Sequence, residues 1–121
     1  MHTPPSPTTP LLQQRCCHQT GPALDDAQAA SLLAQLTAWD IQRAAQGDSE
    51  AVVLTRTFTF SDFHRTMAFV NAVAWVAHEQ DHHPDLSVGH SRCTVNWSTH
   101  SVGGLSLNDF ICAARIDALV A

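Results

Sequence analysis

Apolar positions recur along the chain in two periods, and the two alternate. After Leu24-Asp25-Asp26-Ala27-Gln28, the residues Leu32, Leu33, Leu36 and Trp39 return at helical spacing and predict a first helix through about Trp39. Asp25 fits its N-cap, Gln28 the N3 partner of a capping box, and Leu24 the residue that staples the entry. Gly47-Asp48-Ser49 reads as a turn, with a short, weakly signalled strand around Ile41 to Ala44 before it. Residues 51–60 switch to period two: Val52, Leu54, Phe58 and Phe60 fall on one side, interrupted by Arg56, and Thr55, Thr57 and Thr59 on the other. Ser61-Asp62 then caps a second helix to about Gln80, ended by Pro84, whose apolar face is Phe63, Met67, Val70, Val73, Ala74 and Ala77. A loop over 84–90 leads to a strand in which Cys93, Val95, Trp97 and Thr99 alternate with polar residues, and Gly103-Gly104 breaks it. Ser106-x-x-Asp109 opens a last helix that carries Phe110, Ile111, Ala114 and Ile116.

This order of helix, strands, helix, strands, helix, with short turns between strands, predicts an α+β two-layer fold with an antiparallel sheet covered on one face by helices. A small sheet with one wet face leaves edges and apolar surface for a homo-oligomer to cover. The 121 residues suffice for one domain. Residues 1–20, rich in Pro and Thr at their start and without the basic and apolar regions of a secretory signal, read as a flexible tail ahead of a single domain over 21–121. No apolar run is long enough for a membrane span. Adjacent Cys16 and Cys17 lack the C-x2-C zinc spacing, and Cys93 and Cys112 sit inside predicted elements, so reduced thiols in a cytoplasm fit better than a disulfide framework.

Composition narrows the chemistry. Six Arg and no Lys against eleven acids give a formal charge of −5, which disfavours a protein that tracks nucleic-acid phosphates and excludes Schiff-base and P-loop lysine mechanisms. Eight His are many for this length, and imidazoles that cluster point to proton transfer or metal binding.

Two segments hold that chemistry: His78-Glu79-Gln80-Asp81-His82-His83-Pro84 and Ser98-Thr99-His100. Two readings of the first compete. His78-Glu79-x-x-His82 has the spacing of a zinc-hydrolase helix, with two ligands at i and i+4 and a glutamate base. Its context is poor: Asp81 is charged, Pro84 ends the helix and no further ligand motif follows. Alternatively, His82-His83-Pro84 is a helix exit, and should the strand ending at His100 run beside it, three imidazoles converge at one pocket mouth. Three imidazoles there can bind zinc, or supply an acid, a base and an anchor without metal.

The set His78-x3-His82-His83-Pro84, Trp97-Ser98-Thr99-His100, Gly104-Leu105 and Asp109 resembles the pterin-4a-carbinolamine dehydratase signature, over about residues 22–119. Leu24 to Trp39 resembles that family's first helix, and Phe58-x-Phe60-x-Asp62-Phe63 its strand-to-helix junction. The resemblance implies a four-stranded antiparallel sheet packed by three helices, assembled as a homodimer or homotetramer. It implies dehydration of 4a-hydroxytetrahydrobiopterin to quinonoid dihydropterin by histidine acid–base catalysis, with the pterin as substrate and no cofactor or metal. His82 and His100 would take acid–base duty and His83 would hold the pterin. Asp81, Ser98 and Thr99 would contact it, with His78 and Asp109 in support, Asp109 fixing the tautomer of one His. The sequence departs from the family where His78 replaces a common acid, His90 a common aromatic, and Ser106 the usual Thr. Relatives also serve as a dimerisation cofactor for a transcription factor, so the alternative function is non-catalytic partner binding on the same fold. The acidic charge speaks against direct nucleic-acid contact in either case. His2, His18, His64 and His90 read as surface residues, and Trp39 and Trp97 as core.

Overall fold

The computed structural model describes residues 10–47 and 49–121. Three helices and four strands follow the order α1 (Asp26–Leu33), β1 (Asp40–Gln46), β2 (Ser49–Thr59), α2 (Phe63–Gln80), β3 (Asp85–Val88), β4 (Arg92–Trp97) and α3 (Leu107–Val120). All neighbouring strands are antiparallel, in the spatial order β1-β2-β4-β3. This is the α+β architecture the patterning predicts. No helix among the described residues is long and apolar enough to cross a membrane.

The register explains which residues meet the helices. Leu54 pairs with Trp97 and Phe58 with Cys93, so Leu54, Phe58, Cys93, Val95 and Trp97 share one buried face. Phe69, Val73 and Ala77 of α2 and Phe110, Ile111 and Ile116 of α3 complete that core. Arg56 belongs to the same face without breaking it. Its guanidinium lies 4.2 Å over the Phe58 ring and donates to Asp117 at 2.7 Å, so the charge is paired at the core margin. Thr57 and Thr94 bond to each other on the opposite, wetter face.

Both capping boxes form as predicted, Asp25 with Gln28 and Ser106 with Asp109. Four expectations are corrected. The first helix stops at Leu33 rather than Trp39: the chain passes through two tighter turns and a left-handed Ala38. That exit buries Trp39 and lets its indole donate to Asp117. The 84–90 loop contains β3, a four-residue edge strand between Pro84 and Gly89, too short and too exposed to show a period. The buried face of α2 is Thr66, Phe69, Val73, Ala77 and Gln80, leaving Phe63 and Ala74 exposed. Thr66 can take a buried position because its hydroxyl bonds the Asp62 and His90 carbonyls.

The fourth concerns the N-terminal segment. Residues 1–9 of the expected tail lie outside the described residues, but residues 10–20 pack on the domain. Leu11–Gln13 form a 3-10 turn whose Leu11 is buried against the core. Arg115 donates to the Gln14 carbonyl at 2.7 Å. Asn108 bonds the Cys17 backbone on both sides, accepting from its N–H and donating to its C=O, as a neighbouring strand would.

Candidate active site

The site begins where α2 ends. Asp81 adopts the left-handed conformation, φ 50°. Its N–H donates to the His78 carbonyl, and the His82 N–H reaches back to Ala77, which closes the helix as a Schellman motif. Asp tolerates this backbone better than most residues other than Gly. The reversal carries His82 out of the helical path and under the start of α3. His78 and His82 therefore do not share a helix face, and the spacing of the zinc motif is not realised in three dimensions. His78 lies exposed on α2 with its ring 6.0 Å from that of Trp75.

Beneath α3, His82 Nε2 meets Asp109 Oδ1 at 2.6 Å. The imidazole is also stacked on Trp97, with ring centres 5.4 Å apart and planes 10° from parallel. Asp109 is wholly buried, and its second oxygen accepts from Thr99 Oγ1 at 2.8 Å and from the Ser106 N–H at 2.9 Å. Ser106 also bonds the Thr99 hydroxyl at 2.7 Å. One carboxylate thus serves three purposes: it completes the helix cap, anchors the end of β4, and orients an imidazole. A carboxylate only accepts, so His82 Nε2 carries the hydrogen of this pair and Nδ1 is the nitrogen whose protonation changes. Burial pulls the imidazolium of His82 down, but the bond and charge of Asp109, with Cys16 and Asp81 adding to them, outweigh it and hold His82 above its ordinary value.

His82 opens on a cavity of about 460 Å³ whose lining includes Asp81, His83, Ser98, Thr99 and His100. All six residues expected from sequence to contact a ligand therefore border one space. Its volume falls in the range of small-molecule sites. His100 lies at the start of a short 3-10 turn after β4, exposed like His83, so both imidazoles reach the mouth while His82 sits deeper. Of the two supporting residues, Asp109 touches His82 directly, and His78 is not part of the lining. Among the described residues, no three His, Cys, Asp or Glu side chains gather as a metal-ligand set.

The remaining wall was not anticipated. Cys16, Cys17, His18 and Gln19 line the cavity together with Gln80 and Asn108. Gln80 accepts from the Cys16 N–H at 2.9 Å, and Ser101 Oγ donates to the Gln19 carbonyl at 3.0 Å. His18, expected as a plain surface residue, is exposed but stands on this rim. The available signals were the Leu11-Leu12 pair and the Cys16-Cys17 doublet, apolar residues inside an otherwise polar stretch.

Comparison with known proteins places this arrangement. Residues 22–119 match the family Pterin 4 alpha carbinolamine dehydratase. A protein of Stenotrophomonas maltophilia strain K279a, provisionally named a pterin-4-alpha-carbinolamine dehydratase, is 51% identical over 112 residues, covering 91% of each chain. One from Xanthomonas campestris pv. campestris strain 8004, named in the same provisional way, is 49% identical over 91% of this chain and 90% of its own. Among solved structures, a Brucella melitensis protein described as a transcriptional coactivator/pterin dehydratase superposes with a TM-score of 0.69 at 27% identity, covering 82% of this chain and 99% of that one. A pterin dehydratase-like protein identified as a RuBisCO assembly factor in the alpha-carboxysome shares the fold, with a TM-score of 0.56 at 23% identity over 70% of this chain and 92% of its own. With its signature histidines on one cavity and this likeness along nearly its whole length, the chain belongs to the pterin 4 alpha carbinolamine dehydratase family.

Proposed function

We propose that this chain is a cytoplasmic hydro-lyase that dehydrates 4a-hydroxytetrahydrobiopterin to quinonoid dihydropterin, with the pterin as substrate and no cofactor. The observation that carries the reading is the meeting of His82, His83 and His100 on one cavity, with His82 oriented by a buried carboxylate. The reaction breaks the C4a–O bond and forms a C4a=N5 double bond, so it needs one proton delivered to the leaving hydroxyl and one taken from N5. Two imidazoles lining one cavity supply both without a change in net protonation per turnover. His82, held above the ordinary imidazole range, suits the donor, and His100 at the mouth suits the acceptor from N5. His83, Asp81, Ser98 and Thr99 hold the ring.

Binding tests the site apart from the reaction. A stable 7,8-dihydropterin added to the protein is expected to shift the ring nitrogen resonances of His82, His83 and His100 together and to leave His64 and His90 unmoved. Unchanged resonances of all three at saturating pterin would remove the cavity from consideration.

The likeness to a protein described as a coactivator supports partner binding as a second reading of the same fold. A pure scaffold has no use for an oriented imidazole in a cavity, which favours catalysis here. Assembly as a homodimer or homotetramer accompanies the proposal: β1 and β3 are open edges, and Trp75 is 65% exposed on α2. Sedimentation equilibrium is expected to give two or four times the chain mass, and a single-chain mass would contradict it.

A further inference from the structure

The N-terminal wall of the cavity carries a thiol pair that dehydration does not use. Cys16 Sγ lies 3.5 Å from Cys112 Sγ, across 96 residues of sequence. Cys112 is fully buried on α3, whereas Cys16 is half-buried and lines the cavity. The backbone keeps them together: the Cys16 N–H is held by Gln80, Cys17 is clasped by Asn108, and Arg115 holds Gln14. Their surroundings are unequal. The hydrogen bond from Cys112, with the charges of His82 and Arg115, holds the Cys16 thiol below its ordinary range against its burial and the charge of Asp109. The same hydrogen bond and its own burial push Cys112 up, so it keeps its proton. That asymmetry makes Cys16 the thiol that reacts first, while Cys112 must give up its proton as it attacks.

We infer that Cys16 is an oxidation site for small hydroperoxides entering the cavity, that Cys112 resolves it, and that the resulting disulfide fastens residues 10–20 to α3. In the first step the Cys16 thiolate attacks the peroxide. An S–O bond forms, the O–O bond breaks, and the departing oxygen takes a proton; sulfur is oxidised to a sulfenic acid and the peroxide is reduced. In the second, Cys112 attacks that sulfur, the S–S bond forms, the S–O bond breaks, and hydroxide leaves with the Cys112 proton as water. Two thiols and one hydroperoxide thus give a disulfide, one water and one alcohol, or two waters from hydrogen peroxide. The sulfurs must approach by about 1.5 Å, a movement that Cys16, on irregular backbone, can make more readily than Cys112 in a helix. The inference rests on the thiols alone, so a failed dehydration assay leaves it standing.

The test treats the full chain with stoichiometric hydrogen peroxide, alkylates the remaining thiols and maps the peptides. Expected are two alkylatable thiols out of four, a Cys16–Cys112 cross-linked peptide reversed by dithiothreitol, and a Tm raised by about 5–15 °C. Cys112→Ser, which keeps a hydrogen-bond donor beside Cys16 but cannot form the disulfide, is expected to stop at a Cys16 sulfenic acid that dimedone traps. If that variant does not fold, the wild-type peptide map decides. Four alkylatable thiols after peroxide, or a cross-link that maps to Cys17, would overturn the inference.

Discussion

Replacing His82 with alanine is expected to lower the turnover of the 4a-hydroxypterin by about 100-fold or more, the usual contribution of one positioned general acid or base. His82 is the only imidazole of the three that is both oriented by a carboxylate and stacked on a core ring among the described residues, so its position is fixed before substrate arrives. Pre-positioning is where such a group gains its effect. Because alanine leaves Asp109 facing an empty site, His82→Gln, which can still bond Asp109, is the second variant. It is expected to fold with near wild-type stability and to be equally slow. His100→Ala should also reduce kcat by a similar factor, whereas His83→Ala should chiefly raise KM about 5- to 10-fold, the loss of one hydrogen bond to the ring. Steady-state kinetics on protein whose folding is checked by circular dichroism measures all four. A His82→Gln enzyme with unimpaired kcat would contradict the assignment.

Asp109→Ala is expected to destabilise the fold by about 3–5 kcal/mol, because several buried donors lose their acceptor at about 1–3 kcal/mol each. The Thr99 hydroxyl and the Ser106 N–H lose their acceptor in the same change, so the cap of α3 and the end of β4 loosen together. Against a total stability of about 5–15 kcal/mol, that loss is large. Asp109→Asn, which keeps the volume, is expected to fold and to expose the electrostatic part. Burial then acts on His82 without its counter-charge, and its titration moves down, below that of the wild type. The sign in pH follows. His82 titrates higher folded than unfolded, so its ion pair contributes fully below the ordinary imidazole value, near pH 6.5, and fades as pH rises through the raised folded value. The stability gap between wild type and Asp109→Asn should accordingly narrow with rising pH across that window. Urea denaturation at several pH values measures it, and a gap that widens with pH would show that Asp109 does not stabilise the imidazolium.

Much of this arrangement is readable from sequence because its causes are local. The capping boxes at Asp25 and Ser106 need only residues three apart, and the alternation of Cys93, Val95 and Trp97 reports a half-buried strand by itself. What escapes reading has non-local causes. β3 is a strand because β4 offers it partners, not because Asp85-Leu86-Ser87-Val88 prefers one. The inner face of α2 turns away from Phe63 because Thr66 finds two carbonyl partners. The segment 10–20 is held by side chains reaching its backbone, from Gln80, Asn108, Ser101 and Arg115, and such contacts leave no periodicity. The histidines were visible through their spacing and their resemblance to a known signature. The orienting bond between His82 and Asp109, 27 residues apart, becomes explicit only in three dimensions.

The most direct measurement follows freshly generated 4a-hydroxytetrahydrobiopterin by stopped-flow absorbance, with and without the wild-type protein. The account predicts that catalytic amounts accelerate the appearance of quinonoid dihydropterin well beyond the spontaneous rate, with an acceleration proportional to protein concentration. A rate equal to the uncatalysed one, from protein that is folded and binds a stable dihydropterin, would contradict it and leave this member of the family as a binding protein.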